Sequence, residues 1–351
     1  MSPAPAMRPL TWIEAYRMRW KRRRLLWRSF RSRHKLRMVQ DRTAAIAPDD
    51  ILVVMVLRNE ITRLPFFLDH YRRLGVAQFL VVDNASDDGS AELLQEQPDV
   101  SLWQTSASYR AARFGLDWMT WLQMRYAHGH WCLMVDADEI LTFPGMEQGG
   151  LPTLVQDLER AGRTAYGALM LDLYPKGPLN AQTYTPGQDP AEVLPWYDPG
   201  PYRATRQYPL GNLWVQGGAR ERVFFADDPR RSPTLNKLPL VKWNRRYAYV
   251  NSCHSMLPPQ MNAAYDGPGG QTPAGVLLHS KFLPEIVSKS ETEQKRGEHF
   301  HTPSDFDGYY QQLAQAPDMW TLDSVRLTNV QDLEDRGLAR RVTAERSGEF
   351  E

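Results

Sequence analysis

Apolar and polar positions alternate in blocks between residues 51 and 141. Four short runs rich in aliphatic and aromatic residues, at 51–57, 78–82, 100–104 and 131–135, have the length and composition of buried strands. The stretches between them, at 63–74, 91–97 and 111–126, carry apolar residues at helical spacing. Strands that alternate with helices predict a parallel sheet with right-handed crossovers, so we expect an α/β fold.

Polar residues follow the ends of three of these predicted strands. Arg58-Asn59-Glu60 comes after the first, the run 83–90 after the second, and Asp136-Ala137-Asp138-Glu139 after the fourth. In open α/β sheets ligands bind beyond the carboxyl ends of the strands. Clustered carboxylates resist desolvation unless a cation compensates them, and oxygen ligands favour Mg²⁺ or Mn²⁺. The pattern therefore predicts a divalent metal site at residues 136–139.

The chain changes character after about residue 150. Prolines and aromatic residues become frequent between 166 and 249, which is typical of long loops laid over a rigid sheet. Short strands are predicted at 222–226, 238–243, 247–251 and 276–279. Helices are predicted at 284–297 and 306–314, with a polar tail beyond about residue 337.

The N-terminal segment is strongly basic, whereas the rest of the chain is acidic. Residues 8–42 hold 13 of the 42 Lys and Arg but only Glu14 and Asp41 of the acids, although the net charge is only +1. A helix is predicted at 11–38, with aromatic residues on one face and basic residues around the rest. Such a helix is typical of an anchor on an anionic membrane surface; the alternative is an arm that packs on the acidic body. We do not expect a nucleic-acid partner.

Composition argues against several classes of protein. With 351 residues and 42% apolar content, the chain is long enough to bury a substantial core. The two cysteines, Cys132 and Cys253, form neither a disulfide framework nor a paired metal site, which favours a reducing compartment. No apolar stretch approaches the roughly 20 residues that cross a bilayer, so we expect no membrane-spanning segment and no secretory signal.

The three polar strand ends, in this order and spacing, resemble those of family 2 glycosyltransferases with the GT-A fold. The resemblance is close over residues 51–141 and looser through 217–224 and 277–282, where it is similar to a bacterial subgroup with a short acceptor domain. It implies a Rossmann-like nucleotide-sugar-binding half at 43–145, after the basic segment at 1–42. A loop-rich acceptor-binding region at 146–300 and a C-terminal helix and tail at 301–351 would follow.

The resemblance also implies the reaction and its place in the cell. A sugar would move from a nucleotide diphosphate sugar to a hydroxyl of a carbohydrate or lipid-linked acceptor, with inversion, in surface polysaccharide or glycolipid synthesis. Such acceptors and the basic segment together indicate a cytoplasmic protein that is peripheral on the inner face of the plasma membrane.

Roles for the strand-end residues follow from the same resemblance. Asp138 is the expected direct ligand of Mn²⁺ or Mg²⁺, Asp136 would contact the ribose or the metal, and Glu139 would support the loop. His279, at the end of the strand-like run 276–278, would complete the coordination as a C-terminal histidine.

The nucleotide is expected at the ends of the first two strands. Glu60 and Asp83 would accept hydrogen bonds from the ribose hydroxyls or the base, with Asn84 assisting. Arg110 and Arg113 follow the third strand, and a guanidinium suits phosphate oxygens, so either is a candidate for the diphosphate. The alternative for both arginines is a place on the surface of the following helix.

An inverting transferase also needs a group that takes the proton of the attacking hydroxyl. Asp172 follows an apolar strand-like run on the acceptor side of the metal motif and is the preferred candidate. Glu221 is the second, although the flanking Arg220 and Arg222 would weaken it as a base. His254 is the third.

Two other functions fit parts of the pattern. In a phosphohydrolase of the haloacid dehalogenase type, Asp136 would be the nucleophile and Asp138 the general acid. That family carries the motif on its first strand, whereas here three predicted strands precede it. A catalytically silent nucleotide-binding protein on a membrane would keep the same motifs and lack a usable base.

Overall fold

The computed structural model describes residues 5–287, 289 and 307–343. Within them the strands are β1 (Arg37–Gln40), β2 (Leu52–Leu57), β3 (Gln78–Asp83), β4 (Val100–Gln104), β5 (Trp131–Met134), β6 (Glu139–Thr142), β7 (Ala165–Asp172), β8 (Trp196–Tyr197), β9 (Tyr202–Gln207), β10 (Asn212–Gly217), β11 (Asn236–Lys242), β12 (Ala248–Tyr249), β13 (Met256–Leu257), β14 (Ala274–His279) and β15 (Val325–Arg326). The α-helices are α1 (Trp12–Ser32), α2 (Leu64–Arg73), α3 (Ser90–Glu96), α4 (Leu116–Tyr126), α5 (Gly150–Arg160), α6 (Pro190–Val193), α7 (Gly218–Phe224), α8 (Asp307–Ala314) and α9 (Val330–Asp335).

Strand direction in the central sheet decides where a site can form. The order of its nine strands is β1-β4-β3-β2-β5-β11-β7-β14-β6. Six of them, β2, β3, β4, β5, β7 and β14, run in one direction, and β1, β11 and β6 run in the other. The predicted α/β fold with a mostly parallel central sheet is confirmed. The carboxyl ends of six strands lie along one edge of the sheet.

Helices cover both faces of the sheet because its central strands are apolar on both sides. All residues of β2 are buried, and alternate ones enter two different cores. Val54 packs on the face covered by α4, where Trp118 is 1% exposed. Val53 packs on the opposite face, where α2 contributes Phe67 and α5 contributes Leu154.

The helix predicted at 111–126 begins only at Leu116. Arg113, Phe114 and Gly115 have positive φ angles of 54°, 57° and 76°, which a right-handed helix cannot include. Gly115 is required there, because a Cβ atom would approach a methyl carbon of Val56 to 2.5 Å. The chain therefore makes a tight turn before α4 and only then enters the helix.

The helix predicted at 11–38 is shorter than expected and belongs to the body. It begins after Thr11, which forms a capping box with Glu14, and it ends at Ser32. The following residues form β1, which pairs with β4 at the sheet edge. Arg28 forms an ion pair with Asp117 of α4. The C-terminal half of α1 is thus a packed arm, although several aromatic residues of the helix stay exposed.

The loop-rich half contains two wrong predictions and several confirmed ones. Residues 222–226 belong mostly to α7 rather than to a strand. The strands predicted at 238–243, 247–251 and 276–279 correspond to β11, β12 and β14, and the helix at 306–314 to α8. Most of the helix predicted at 284–297 lies outside the described residues. The predicted polar tail includes Leu338, which is 1% exposed, so the fold continues past residue 337.

None of the helices within residues 5–287 and 307–343 is both long and apolar enough to cross a bilayer.

A buried histidine makes stability depend on pH. His70 of α2 is 9% exposed, and burial lowers its pKa to about 4, whereas in an unfolded chain the value is about 6.5. Protons therefore bind the unfolded state better, so stability is complete above about pH 6.5 and is lost as the pH falls towards 4. Between pH 7 and pH 5 we expect this group alone to lower the free energy of unfolding by about 2 kcal/mol.

Denaturant unfolding at both pH values tests this expectation with His70→Gln as the reference. Glutamine can still donate to the carbonyl of Leu141, which lies 3.3 Å from Nε2 of His70, but it does not titrate. The wild type should lose about 2 kcal/mol more than the variant on acidification. Parallel pH profiles for the two proteins would contradict the assignment.

Candidate active site

The candidate site lies at the carboxyl ends of the six strands that share a direction. β5 leads into the acidic turn at 136–139, and β7 and β14 end at Asp172 and His279. The register places His279 opposite Asp172 on one side of β14 and opposite Glu139 on the other. The sheet therefore brings together residues that are far apart in the sequence.

Hydrogen bonds between Asp136 and Glu139 close the acidic turn. The backbone N–H of Glu139 donates to the carbonyl of Asp136 at 3.0 Å, and the N–H of Asp136 donates to the Glu139 carboxylate at 3.2 Å. Glu139 is 1% exposed, whereas the side chain of Asp136 is 49% exposed. The turn thus buries one carboxylate and leaves the other at the surface of the site.

Lys237 is a residue of the site that sequence reasoning missed. Its side chain, 4% exposed, extends from β11 to form an ion pair with Glu139, and its Nζ lies 3.2 Å from Oδ2 of Asp136. A buried ammonium group needs such partners, because an unpaired charge away from water is strongly unfavourable. The sequence offers one signal, a lysine directly before the predicted strand at 238–243.

Asp138 and His279 form the pair best suited to hold a metal ion. Nε2 of His279 lies 3.2 Å from Oδ2 of Asp138, and one atom each from Asp138, Glu139 and His279 lie within 4.8 Å of one another. Ser280 fixes the carbonyl oxygen of Asp138 with its N–H at 2.8 Å and its hydroxyl at 3.1 Å. Although burial opposes ionisation, His279 and Arg63 hold the pKa of Asp138 well below its usual value. A carboxylate and an imidazole together suit Mn²⁺ better than Mg²⁺, which prefers oxygen ligands.

The buried ion pair of Asp172 and Arg220 fixes the ring of His279 on the side away from Asp138. Nδ1 of His279 lies 2.6 Å from Oδ1 of Asp172 and 2.9 Å from Nη2 of Arg220, which also forms an ion pair with Asp172. One ring nitrogen cannot donate to a carboxylate and accept from a guanidinium at once, so we assign its proton to the shorter contact with Asp172. Nε2 is then the nitrogen that faces Asp138. Burial alone would raise the pKa of Asp172, but Arg220 and His279 lower it to about 2.

The two loops expected to hold the nucleotide are joined by side-chain hydrogen bonds. The side-chain N–H of Asn59 donates to the carboxylate of Asp87 at 2.8 Å, and the side-chain oxygen of Asn59 accepts from the backbone N–H of Asp87 at 3.0 Å. The backbone of Asn59 has a positive φ of 56°. The next residue, Glu60, forms ion pairs with Arg63 at 2.8 Å and with Lys289 at 3.2 Å. Glu60 therefore has two cationic partners in this conformation.

Asp83 and Asn84 are buried at the end of β3. Asp83 is 0% exposed, its carboxylate accepts from the N–H of Ser86 at 3.3 Å, and burial raises its pKa. Asn84 donates to the carbonyl oxygens of Thr105 and Ala107, both at 3.0 Å. Asn84 thus connects β3 to the loop after β4. Because Asp83 is fully buried, a ligand that contacts its carboxylate has to displace part of the turn above it.

Three further predicted residues differ in their surroundings. Arg113 is held in place, because Nε donates to Asp117 at 2.8 Å and Nη1 donates to the carbonyl of Tyr249 at 3.1 Å. Arg110, on the same loop, is exposed. Nδ1 of His254 lies 2.5 Å from a backbone carbonyl oxygen of β11, and burial lowers the pKa of this ring to about 3.

Glu221 is not paired with its neighbours in the sequence. Successive residues of a helix point in different directions, and Arg220 and Arg222 turn to other carboxylates. The carboxylate of Glu221 instead forms an ion pair with Arg203 and accepts from the hydroxyl of Ser232 at 2.7 Å. The expected influence of Arg220 and Arg222 on this carboxylate is therefore wrong, because the arginine that it contacts is Arg203.

Comparisons with known proteins give a partial sequence relative and 35 solved chains with some structural likeness. No protein-family model matches the chain. Over 101 residues it is 31% identical to a protein of Oryza sativa subsp. japonica named as a glycosyltransferase family 92 protein. The match covers 26% of this chain and only 16% of the rice protein.

Two of the solved structures illustrate how low this similarity is. The mannosyltransferase PcManGT from Pyrobaculum calidifontis, in complex with GDP-Man and Mn²⁺, is 16% identical, with a TM-score of 0.30 over 87% of this chain and 81% of that one. The crystal structure of 4-diphosphocytidyl-2C-methyl-D-erythritol synthase is 16% identical, with a TM-score of 0.24 over 39% and 68% of the two chains.

The buried ion pair of Lys237 leads to a stability prediction. Lys237→Met should lower the free energy of unfolding by about 3–5 kcal/mol, because it leaves Glu139 buried without its partner. Adding Glu139→Gln removes the unpaired charge, so the double variant should recover a large part of this loss. Denaturant unfolding at pH 7 with a chelator present measures both effects without any contribution from metal.

Lys242→Met is the matched control on the same strand. Lys242 pairs with Glu159, and both side chains are more than 40% exposed, so its loss should change stability by less than about 1 kcal/mol. If the single variant Lys237→Met and the double variant were equally unstable, Glu139 would not depend on Lys237.

Proposed function

We propose that this protein is a metal-dependent glycosyltransferase that moves a sugar from a nucleotide diphosphate sugar to a hydroxyl acceptor. The observation that carries this proposal is the meeting of Asp138 and His279, 3.2 Å apart, at the carboxyl edge of a mostly parallel sheet. The 31% identity to a protein named as a glycosyltransferase supports the same conclusion. The inverting stereochemistry, the family 2 relationship and a role in surface polysaccharide or glycolipid synthesis are part of the proposal.

Asp138 and His279 would hold the metal ion, with Asp136 at its solvent side. The donor set favours Mn²⁺ over Mg²⁺ because it includes an imidazole. When bound, the ion neutralises the charge that develops on the leaving diphosphate. Lys237 keeps the half-exposed Asp136 close to the buried Glu139, so that Asp136 is available to the ribose or the ion.

The nucleotide would lie over the ends of β2 and β3. Glu60 would exchange one of its cationic partners for a ribose hydroxyl, and Asp83 and Asn84 would form the floor beneath the base. Arg110, which is exposed, is the better candidate for the diphosphate. Arg113 is a poor one, because it already neutralises Asp117.

The acceptor hydroxyl attacks the anomeric carbon, the bond from that carbon to the diphosphate oxygen breaks, and the hydroxyl proton leaves to a base. Asp172 is poorly suited to take this proton, since it is 5% exposed and one of its oxygens already contacts both Arg220 and His279. We propose instead that Asp172 orients His279, as a carboxylate behind a metal-ligating histidine commonly does. Glu221, the second carboxylate indicated by the sequence, would then take the proton after giving up its contact with Arg203, whose side chain is 46% exposed.

A peripheral position on an anionic membrane surface, on the inner face of the plasma membrane, is also part of the proposal. Trp12, Tyr16, Trp20 and Trp27 recur at helical spacing on α1 and are 79%, 55%, 52% and 60% exposed. Exposed aromatic rings on a basic helix are suited to the boundary between headgroups and acyl chains. A lipid-linked acceptor would be presented at the same surface.

The metal proposal predicts that Asp138→Asn abolishes Mn²⁺-dependent binding of nucleoside diphosphates. Thermal denaturation with a panel of nucleoside diphosphates, with and without Mn²⁺, measures it, because a ligand of the folded state raises the Tm. Asp69→Asn, an exposed acid on α2, should keep the wild-type shift. An equal Mn²⁺-dependent shift in Asp138→Asn would refute the assignment. Release of nucleoside diphosphate from the donor separates an active enzyme from a silent binding protein.

The orienting role predicts that Asp172→Asn weakens Mn²⁺ binding roughly ten- to a hundredfold, as the loss of such a partner usually does. Titration of Mn²⁺ by electron paramagnetic resonance without donor measures this affinity. Glu221→Gln should keep the affinity and lose turnover, since only a transition-state role is removed. Normal Mn²⁺ affinity with lost turnover in Asp172→Asn would return the role of base to Asp172.

A further inference from the structure

A cavity of about 230 Å³ lies between α1 and the turn that follows β13. Leu10, Met18, Pro258 and Pro259 supply apolar walls, and the side chains of Arg19 and Arg22 complete the lining. None of the residues that line it belongs to the candidate active site. Volumes of about 300–1,000 Å³ are usual for sites that enclose a whole drug-sized molecule, so this cavity would hold one end of a larger one.

Positive charge is concentrated at this cavity without a matching anion. Arg22 is half-buried, and burial together with the charges of Arg19, Arg246 and Arg23 lowers its pKa. Among the residues that the structure describes, none of these four arginines forms an ion pair with a carboxylate. Guanidinium groups from α1 and from the loop between β11 and β12 therefore repel one another, and a bound anion would relieve that repulsion.

We propose that this cavity binds the headgroup of one anionic phospholipid molecule. Its phosphate would pair with Arg19 and Arg22, because a guanidinium binds phosphate oxygens through two parallel hydrogen bonds. The glycerol and the first part of an acyl chain would contact Leu10, Met18 and the proline pair. A free phosphate ion would leave these apolar walls without a partner, so the combination favours a lipid.

The position of the cavity on α1 favours the same occupant. At about 100° per residue, Met18 and Arg22 lie on the inner side of the helix, whereas Trp12, Tyr16 and Trp20 lie on the outer side. Arg19 falls between the two sides, next to the exposed aromatic residues. The inference rests on the proposed membrane position, and it adds one defined lipid site to an otherwise general attraction.

Nuclear magnetic resonance of the full-length protein with labelled methionine methyl groups tests occupancy of the cavity directly. Met18 lies in the wall, and its signal is assigned with Met18→Leu. The signal should shift on addition of dihexanoyl phosphatidylglycerol below its micelle concentration, and not with dihexanoyl phosphatidylcholine or inorganic phosphate. In the double variant Arg19→Gln/Arg22→Gln the shift should disappear.

Co-sedimentation with vesicles of phosphatidylcholine and phosphatidylglycerol provides the second measurement. The pair Arg24→Gln/Arg31→Gln removes the same charge from exposed positions of α1 that do not line the cavity. Both double variants lose general attraction to the anionic surface. Substitution of Arg19 and Arg22 should weaken vesicle binding about tenfold more, because it also removes direct bonds to the phosphate.

Each result decides the proposal. An unchanged Met18 signal, an equal response to inorganic phosphate, or equal weakening by the two arginine pairs would overturn it, and vesicle binding by the wild type would then leave the membrane position intact. A Met18 shift specific to phosphatidylglycerol in a protein that does not sediment with vesicles would overturn the membrane position, and with it the part of the proposal that places the lipid in a membrane.

Discussion

Carboxylates withdrawn from water need cations, and this requirement ties the two halves of the chain together. The acidic turn supplies Asp138 and Glu139, and β7 supplies Asp172. Three groups that pair with them, His279 on β14, Lys237 on β11 and Arg220 on α7, come from later in the chain. The strands show the same interdependence, because β11 lies between β5 and β7. The expected boundary near residue 145 therefore falls within one continuous sheet rather than between two independent folding units.

The direction of β11 explains how a lysine reaches the acidic edge. β11 is antiparallel to both neighbours, so its first residues, rather than its last, lie beyond the carboxyl end of β5, beside the acidic turn. Lys237 is the second residue of the strand, and its pairing with β7 becomes irregular directly after it. Pro239, which has no N–H group to donate, lies within that irregular stretch. A reversed strand thus provides a positive charge at an edge where the parallel strands present mostly acids.

The sequence was informative where a local pattern determines the structure and uninformative where distant contacts do. The apolar runs that became β2 to β5 were recognised because burial on both faces leaves a continuous hydrophobic signal. Asp138 and His279 were identified because both follow such runs at strand ends. Lys237 was missed because candidate residues were sought at the ends of strands. In an antiparallel strand such as β11, the first residues lie at this edge instead. The edge strand β1 gave no apolar signal, because it pairs with β4 alone and none of its residues is buried.

The pairing of β14 has a consequence for how this protein can change during evolution. His279 faces Asp172 across one side of β14 and Glu139 across the other, so a single register fixes three side chains of the candidate site. Side chains alternate between the faces of a sheet, and a one-residue slip would therefore turn the imidazole away from both carboxylates. We expect insertions and deletions to be tolerated in the mostly exposed loops at 180–187 and 226–231 but not within 274–279. Among homologous chains, loop lengths should consequently vary while the length of this strand stays constant.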